Sequence, residues 1–182
     1  MKTIKMYAAC ALTGAPQSVV DTRNCLVRDL LLLKVDGVPC FELLDFEGLE
    51  GEATPLEVFE FDQAQVQKAD VILALGDMPS TGTGIELMIA ANNGTPILYV
   101  ETINKKTSRM VKGFCEASPI RDSVNIHFID ESQQAKLVAE HLSRVIAAKI
   151  TGNLQSRSAE VDEQISFLRG VMSFLEQHQE IS

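Results

Sequence analysis

The chain has 182 residues, 46% hydrophobic and 23% charged, with a net charge of −9 and no tryptophan. That apolar content excludes a disordered chain and suits one domain with a substantial core, while every apolar run falls far short of the roughly 20 residues of a membrane span. An acidic balance lacks the clustered Lys and Arg that bind a phosphate backbone or an anionic bilayer, so neither nucleic acid nor membrane is an expected partner. A small phosphorylated ligand stays open, because helix N-termini hold anions through backbone N–H groups whatever the net charge.

The start, Met1-Lys2-Thr3-Ile4-Lys5, carries no long apolar stretch or cleavage site, so a cytoplasmic protein is expected. Residues 3–12 read as a first strand, and residues 17–34 as a helix closed by the turn formers Asp36-Gly37. A second strand over 38–44 precedes a short helix over 62–68. The third strand, 70–75, contains Val71-Ile72-Leu73-Ala74-Leu75, apolar at every position as in a parallel strand covered on both faces. A helix over 84–93 ends at Gly94, followed by a strand over 96–100, a helix over 108–116, a strand over 124–129 and a helix over 132–150. Strand and helix alternate through residues 1–150, which predicts an α/β domain: a flavodoxin-like open parallel sheet of five strands, order 2-1-3-4-5, with helices on both faces.

A polar break over 151–157 separates that domain from a C-terminal extension, 151–182, in which Val161, Ile165, Leu168, Met172 and Leu175 recur at helical spacing. Phe167, Val171 and Phe174 widen the stripe. Such a helix either folds back on its own domain or packs on another subunit.

Ligands in open parallel sheets lie beyond the carboxyl ends of the strands. The segment there after the third strand is Gly76-Asp77-Met78-Pro79-Ser80-Thr81-Gly82-Thr83-Gly84-Ile85-Glu86. Gly82 and Gly84 let the backbone approach a ligand, and the helix start offers free N–H groups to a sugar or phosphate. Glu86, expected in the first turn of that helix, is either a dipole partner or a nucleophile beside the cradle. Asp62, ahead of the strand, supplies a second carboxylate, and glycoside cleavage uses such a pair. Asp77 either caps the turn or reaches the ligand. Cysteines 10, 25, 40 and 115 form no C-x-x-C pair and histidines 127, 141 and 178 are scattered, so no metal, cofactor or disulfide framework is expected. Cys10 reads as a packing residue, and Lys105, Lys106, Arg109 and Lys112 as a solvated face or a phosphate entrance.

The run Pro79-Ser80-x-Gly82-x-Gly84-x-Glu86-Leu87, preceded by Asp62 and by Ala69-Asp70-Val71-Ile72, resembles the core motif of the nucleoside 2-deoxyribosyltransferase family, nearest its deoxynucleoside 5′-monophosphate N-hydrolase branch. The resemblance spans residues 1 to about 130, with its strong motifs near 62–90. It implies a homodimer that breaks the N-glycosidic bond of a nucleoside or nucleotide, with Glu86 as nucleophile, Asp62 near the base and Tyr7 of the first strand placing sugar and nucleophile. Ser80 matches a position that is aspartate in the transferases and a phosphate-contacting serine in the hydrolases. Ser108 matches a serine that reaches the phosphate from the neighbouring subunit. After Tyr7 the hydrolases carry a Gly-Ser and an arginine, whereas this chain has Cys10-Ala11-Leu12-Thr13-Gly14; Thr13 and the Gly14 backbone stand in for part of that grip. The Gly82-Thr83-x-x-Glu86 turn is also similar to that of the cytokinin-activating phosphoribohydrolases. Hydrolysis, base exchange as in the transferases, and nucleotide binding without turnover are the three functions this sequence sets against one another.

Overall fold

A computed structural model describes residues 3–12, 14–44, 53–103, 107–127 and 131–152, with Ser166, Arg169, Gly170 and Ser173 of the C-terminal extension. Its centre is β5 (Val71–Leu75), where Val71, Ile72, Leu73 and Ala74 are all buried. Complete burial is what an unbroken apolar strand requires, and helices cover both faces to supply it. β1 (Ile4–Cys10) runs parallel to β5 with Tyr7 opposite Ile72 and Cys10 opposite Leu75. β4 (Phe41–Leu43) lies outside β1, and β6 (Ile97–Thr102) and β7 (Arg121–Ile126) extend the other edge, giving the order β4-β1-β5-β6-β7. Counting only these five sheet strands, that is the expected order 2-1-3-4-5.

The two-residue period of β1 decides which side chains meet which layer. Met6 and Ala8 enter one core with α1 (Gln17–Leu32) and α5 (Glu131–Gly152). Tyr7 and Ala9 enter the other, beneath α2 (Pro55–Lys68), α3 (Thr81–Asn92) and α4 (Arg109–Glu116). No helix among the described residues is long and apolar enough to cross a membrane.

Several boundaries differ from the sequence reading. The expected strand over 38–44 divides into β3 (Val38–Pro39), which pairs antiparallel with β2 (Lys34–Val35), and the sheet strand β4. The cause is Asp36-Gly37, with φ of 50° and 80°, the paired positive values of a tight hairpin turn. α2 begins seven residues before the expected start, at Pro55, because Thr54 and Glu57 form a reciprocal capping box and Pro55 suits the first helical turn. α3 starts at Thr81, and Ser80 caps it by accepting from the Thr83 N–H. Gly82 and Gly84 are therefore helical rather than loop residues, and Glu86 stands in the second turn, not the first. Gly94, with φ of 67°, closes this helix as expected, its N–H donating to the Ala91 carbonyl. The apolar stripe of the tail helix, from Val161 to Leu175, lies outside the described residues. Gly170, which is helical, sits against the β2–β3 hairpin, so that a Cβ added there would lie 3.6 Å from Val35 Cγ1.

Candidate active site

Three of the residues singled out in the sequence converge where β1, α2 and α3 meet. Tyr7, buried on β1, donates from its hydroxyl to Glu86 Oε1 at 3.0 Å. Glu86 Oε2 is buried and has no hydrogen-bond partner. Asp62 comes from α2 and lies within reach of the same phenol. A phenol has one proton to give, so Tyr7 donates to one carboxylate at a time, and the bond to Glu86 is the one formed.

Two carboxylates at one hydroxyl, in a partly dry site, resist ionising together. Burial pushes Glu86 from its ordinary 4.5 up to about 7; Tyr7 donation opposes this and the charge of Asp62 adds to it. Burial also raises Asp62, again against the Tyr7 bond. Tyr7 itself is raised by burial and by both carboxylates, so it stays a proton donor. Glu86 thus titrates near neutrality, with one oxygen fixed by Tyr7 and the other buried without a partner.

At the α3 N-terminus, a pocket of about 280 Å³ is lined by Gly76, Ser80, Thr83, Gly84, Tyr99 and Ser108, among others. Ser80 and Ser108 are the caps of α3 and α4, the latter accepting from the Val111 N–H. Two helix N-termini therefore open on one cavity, each contributing uncommitted N–H groups. A Cβ at Gly84 would meet nothing within 4 Å, consistent with free space beside it. Gly82 does not line this pocket, and neither do Tyr7, Asp62 and Glu86. The carboxylates and the pocket are neighbouring compartments joined by the first two turns of α3, and roughly 9 Å of helix axis separates Ser80 from Glu86.

Other expected residues are engaged elsewhere. Asp77 accepts from the Thr102 N–H at 2.7 Å and from its hydroxyl, tying the β5 loop to the end of β6. It faces a small cavity of about 20 Å³ under α1, not the larger pocket. Gly14 holds φ of 72° in the turn after β1, and Thr13, Lys105 and Lys106 lie outside the described residues. Lys112 pairs with Glu101, so that part of the basic cluster is structural. The Cys10 thiol is raised by burial although the nearby Arg23 guanidinium opposes it, which suits a packing role.

The sequence reading passed over Tyr99, and it named Gly76 and Thr83 only as parts of the glycine-rich segment, without a role. Tyr99 sits in an apolar strand and reads as core, which it is, but its ring also floors the pocket. A Cβ on Gly76 would lie 2.0 Å from Tyr99 Oη, so the absent side chain makes room for the ring. Thr83 is buried with an unpartnered hydroxyl oxygen. Nothing in local sequence separates it from an ordinary helix threonine.

No protein-family model matches the chain. A stretch of 69 residues, 38% of the chain, is 30% identical to a putative 2′-deoxynucleoside 5′-phosphate N-hydrolase 1 of Methanococcoides burtonii. The match spans 57% of that relative's length. Among solved structures, the CMP N-glycosidase BcmB of Clostridium botulinum superimposes with a TM-score of 0.50 at 18% identity, over 74% of this chain and 97% of that one. The likeness to BcmB is one of fold. The Methanococcoides burtonii relative and BcmB are both of the nucleoside 2-deoxyribosyltransferase-like family, whose core motif the run around Glu86 resembles.

Proposed function

We propose that the protein is an N-glycosidase that cleaves the base–sugar bond of a nucleoside, deoxynucleoside or corresponding 5′-monophosphate, with Glu86 as nucleophile. The observation that carries this reading is the Tyr7–Glu86 hydrogen bond with Asp62 alongside. Tyr7 fixes one carboxylate oxygen and leaves buried Oε2 to attack C1′. As the C1′–O bond forms, the C1′–N bond breaks and its electron pair leaves with the base, which takes a proton from Asp62. Asp62, raised by burial, then receives a proton from water as that water displaces Glu86 from C1′. The resemblance of the Glu86 motif and the partial match to a 5′-phosphate N-hydrolase support the same chemistry.

A 5′-monophosphate suits the two compartments better than a free nucleoside. Glu86 and part of the pocket wall are carried by the same helix, α3, and two serine-capped helix starts favour an anion where an aspartate would repel it. In this reading Ser80, Gly84 and Ser108 hold the phosphate, Ser108 from the same chain rather than from the neighbouring subunit as the resemblance implies, and Gly82 contributes backbone only. A homodimer fits as well, since Leu56 and Phe59 of α2 and Ile85 and Met88 of α3 form an exposed apolar strip beside Glu86.

The test is release of free base from a panel of nucleosides and 5′-monophosphates, with and without a second base as acceptor. Base release by the wild type and its loss in Glu86→Ala are expected. A new nucleoside in the presence of acceptor would establish base exchange instead. If the wild type releases no base, yet it and Glu86→Ala bind a nucleotide equally, the protein is a binding protein and the catalytic reading fails.

A further inference from the structure

Glu101 is a carboxylate only 4% exposed, next to last in β6 after the buried hydrophobic run Ile97 to Val100. Burying a charge is costly unless it is paired, so its partners show what the burial serves. Thr107 Oγ1 and Lys112 Nζ each donate to a different Glu101 oxygen, and the Asn125 side chain of β7 adds a third donor. Thr107 immediately precedes the cap of α4 and Lys112 lies in its first turn. One carboxylate thus clamps both sides of Ser108.

Tyr99 reinforces the clamp. It shares a face of β6 with Glu101 by the strand's two-residue period. Its hydroxyl is within hydrogen-bond reach of Thr107 and of the Ser108 backbone. Residues from β6 and β7 therefore converge on the helix start that forms one wall of the pocket. The four preceding positions of β6, Ile97 to Val100, are filled by buried hydrophobic residues, so the charge stands out against its strand.

We propose that Glu101 is a positioning residue: through Thr107 and Lys112 it docks the first turn of α4, and with it Ser108, against the pocket. Where substrate is concerned this rests on the N-glycosidase reading; the docking itself does not. Glu101→Gln keeps an acceptor for Thr107 but loses the charge that holds Lys112. Lys112→Met, at a partly exposed side chain, removes the same link with less risk to folding.

Backbone amide exchange of Val111 and Lys112, whose N–H groups donate to Ser108, is expected to quicken about tenfold or more in either variant, with the amides of α3 unchanged. In the base-release assay, KM for the 5′-monophosphate is expected to rise about tenfold while kcat stays within about threefold. The double variant is expected to cost no more than the worse single one, because both remove one link. Unchanged exchange at the α4 start in folded Lys112→Met would overturn the proposal, as would an unchanged KM in an active enzyme or additive effects in the double variant. If the wild type proves inactive, the function falls while the exchange result still decides the docking.

Discussion

Glu86 should make the protein less stable as pH rises, and the size of the effect follows from its surroundings. Burial lifts its carboxyl from 4.5 to about 7, so between those values the folded state holds a proton that the unfolded chain has released. Stability then declines as pH rises through that window, and the loss is complete above about 7. The full difference corresponds to about 3 kcal/mol, which for a domain of this size is a shift in Tm of roughly 6–12 °C. Glu86→Gln keeps the shape and an acceptor for Tyr7 but cannot ionise. Urea unfolding at pH 5 and pH 8 should show the variant more stable by less than about 1 kcal/mol at the lower pH and by about 3 kcal/mol at the higher. A difference that stays constant with pH, or a variant less stable at pH 8, would refute the claim that burial holds this carboxyl near neutrality.

Three further outcomes are expected. Tyr7→Phe removes the donor that lowers Glu86, so the acid limb of kcat/KM should move to higher pH and kcat should fall about 10²-fold or more, measured by base release across pH 5–9. Gly76→Ala drives a methyl into Tyr99 Oη and should cost about 1–3 kcal/mol in urea unfolding while raising KM, since the ring that floors the pocket must move. Ile85→Lys with Met88→Glu, both at exposed positions on α3, should convert a dimer to monomers in sedimentation; an unchanged sedimentation coefficient would remove that strip from the interface.

The strand order was legible because it depends on alternation and apolar content, which single residues report. β5 is buried on both faces and its sequence is apolar throughout; no other reading of Val71-Ile72-Leu73-Ala74 competes. Boundaries were less legible where two local signals overlap. Asp36-Gly37 was read as the stop of a helix when it is the turn of a hairpin, and both roles favour the same positive φ. The start of α2 was legible and passed over: Thr54-Pro55-x-Glu57 is a capping box with a proline at the first helical position. The glycines of Gly82-Thr83-Gly84 suggested a loop because glycine weakens helices, but the Ser80 cap and contacts along α3 outweigh that preference.

The candidate site divides in the same way. By itself, the sequence determined which residue types stood where along the chain: Tyr7 on the first strand, Glu86 after the third and Asp62 before it, in a pattern that resembles nucleoside-cleaving enzymes. Those are local facts, carried by motif and periodicity. Only the tertiary structure decided that Tyr7 donates to Glu86 across 79 positions, that Asp77 is spent on Thr102, and that Tyr99 and Glu101 hold the wall that carries Ser108. The physical reason is that burial and pairing are properties of what surrounds a side chain. A carboxylate has the same formula at positions 62, 77, 86 and 101, and only the packing of β1, α2, α3 and β6 makes one a candidate nucleophile, one its partner and two of them anchors.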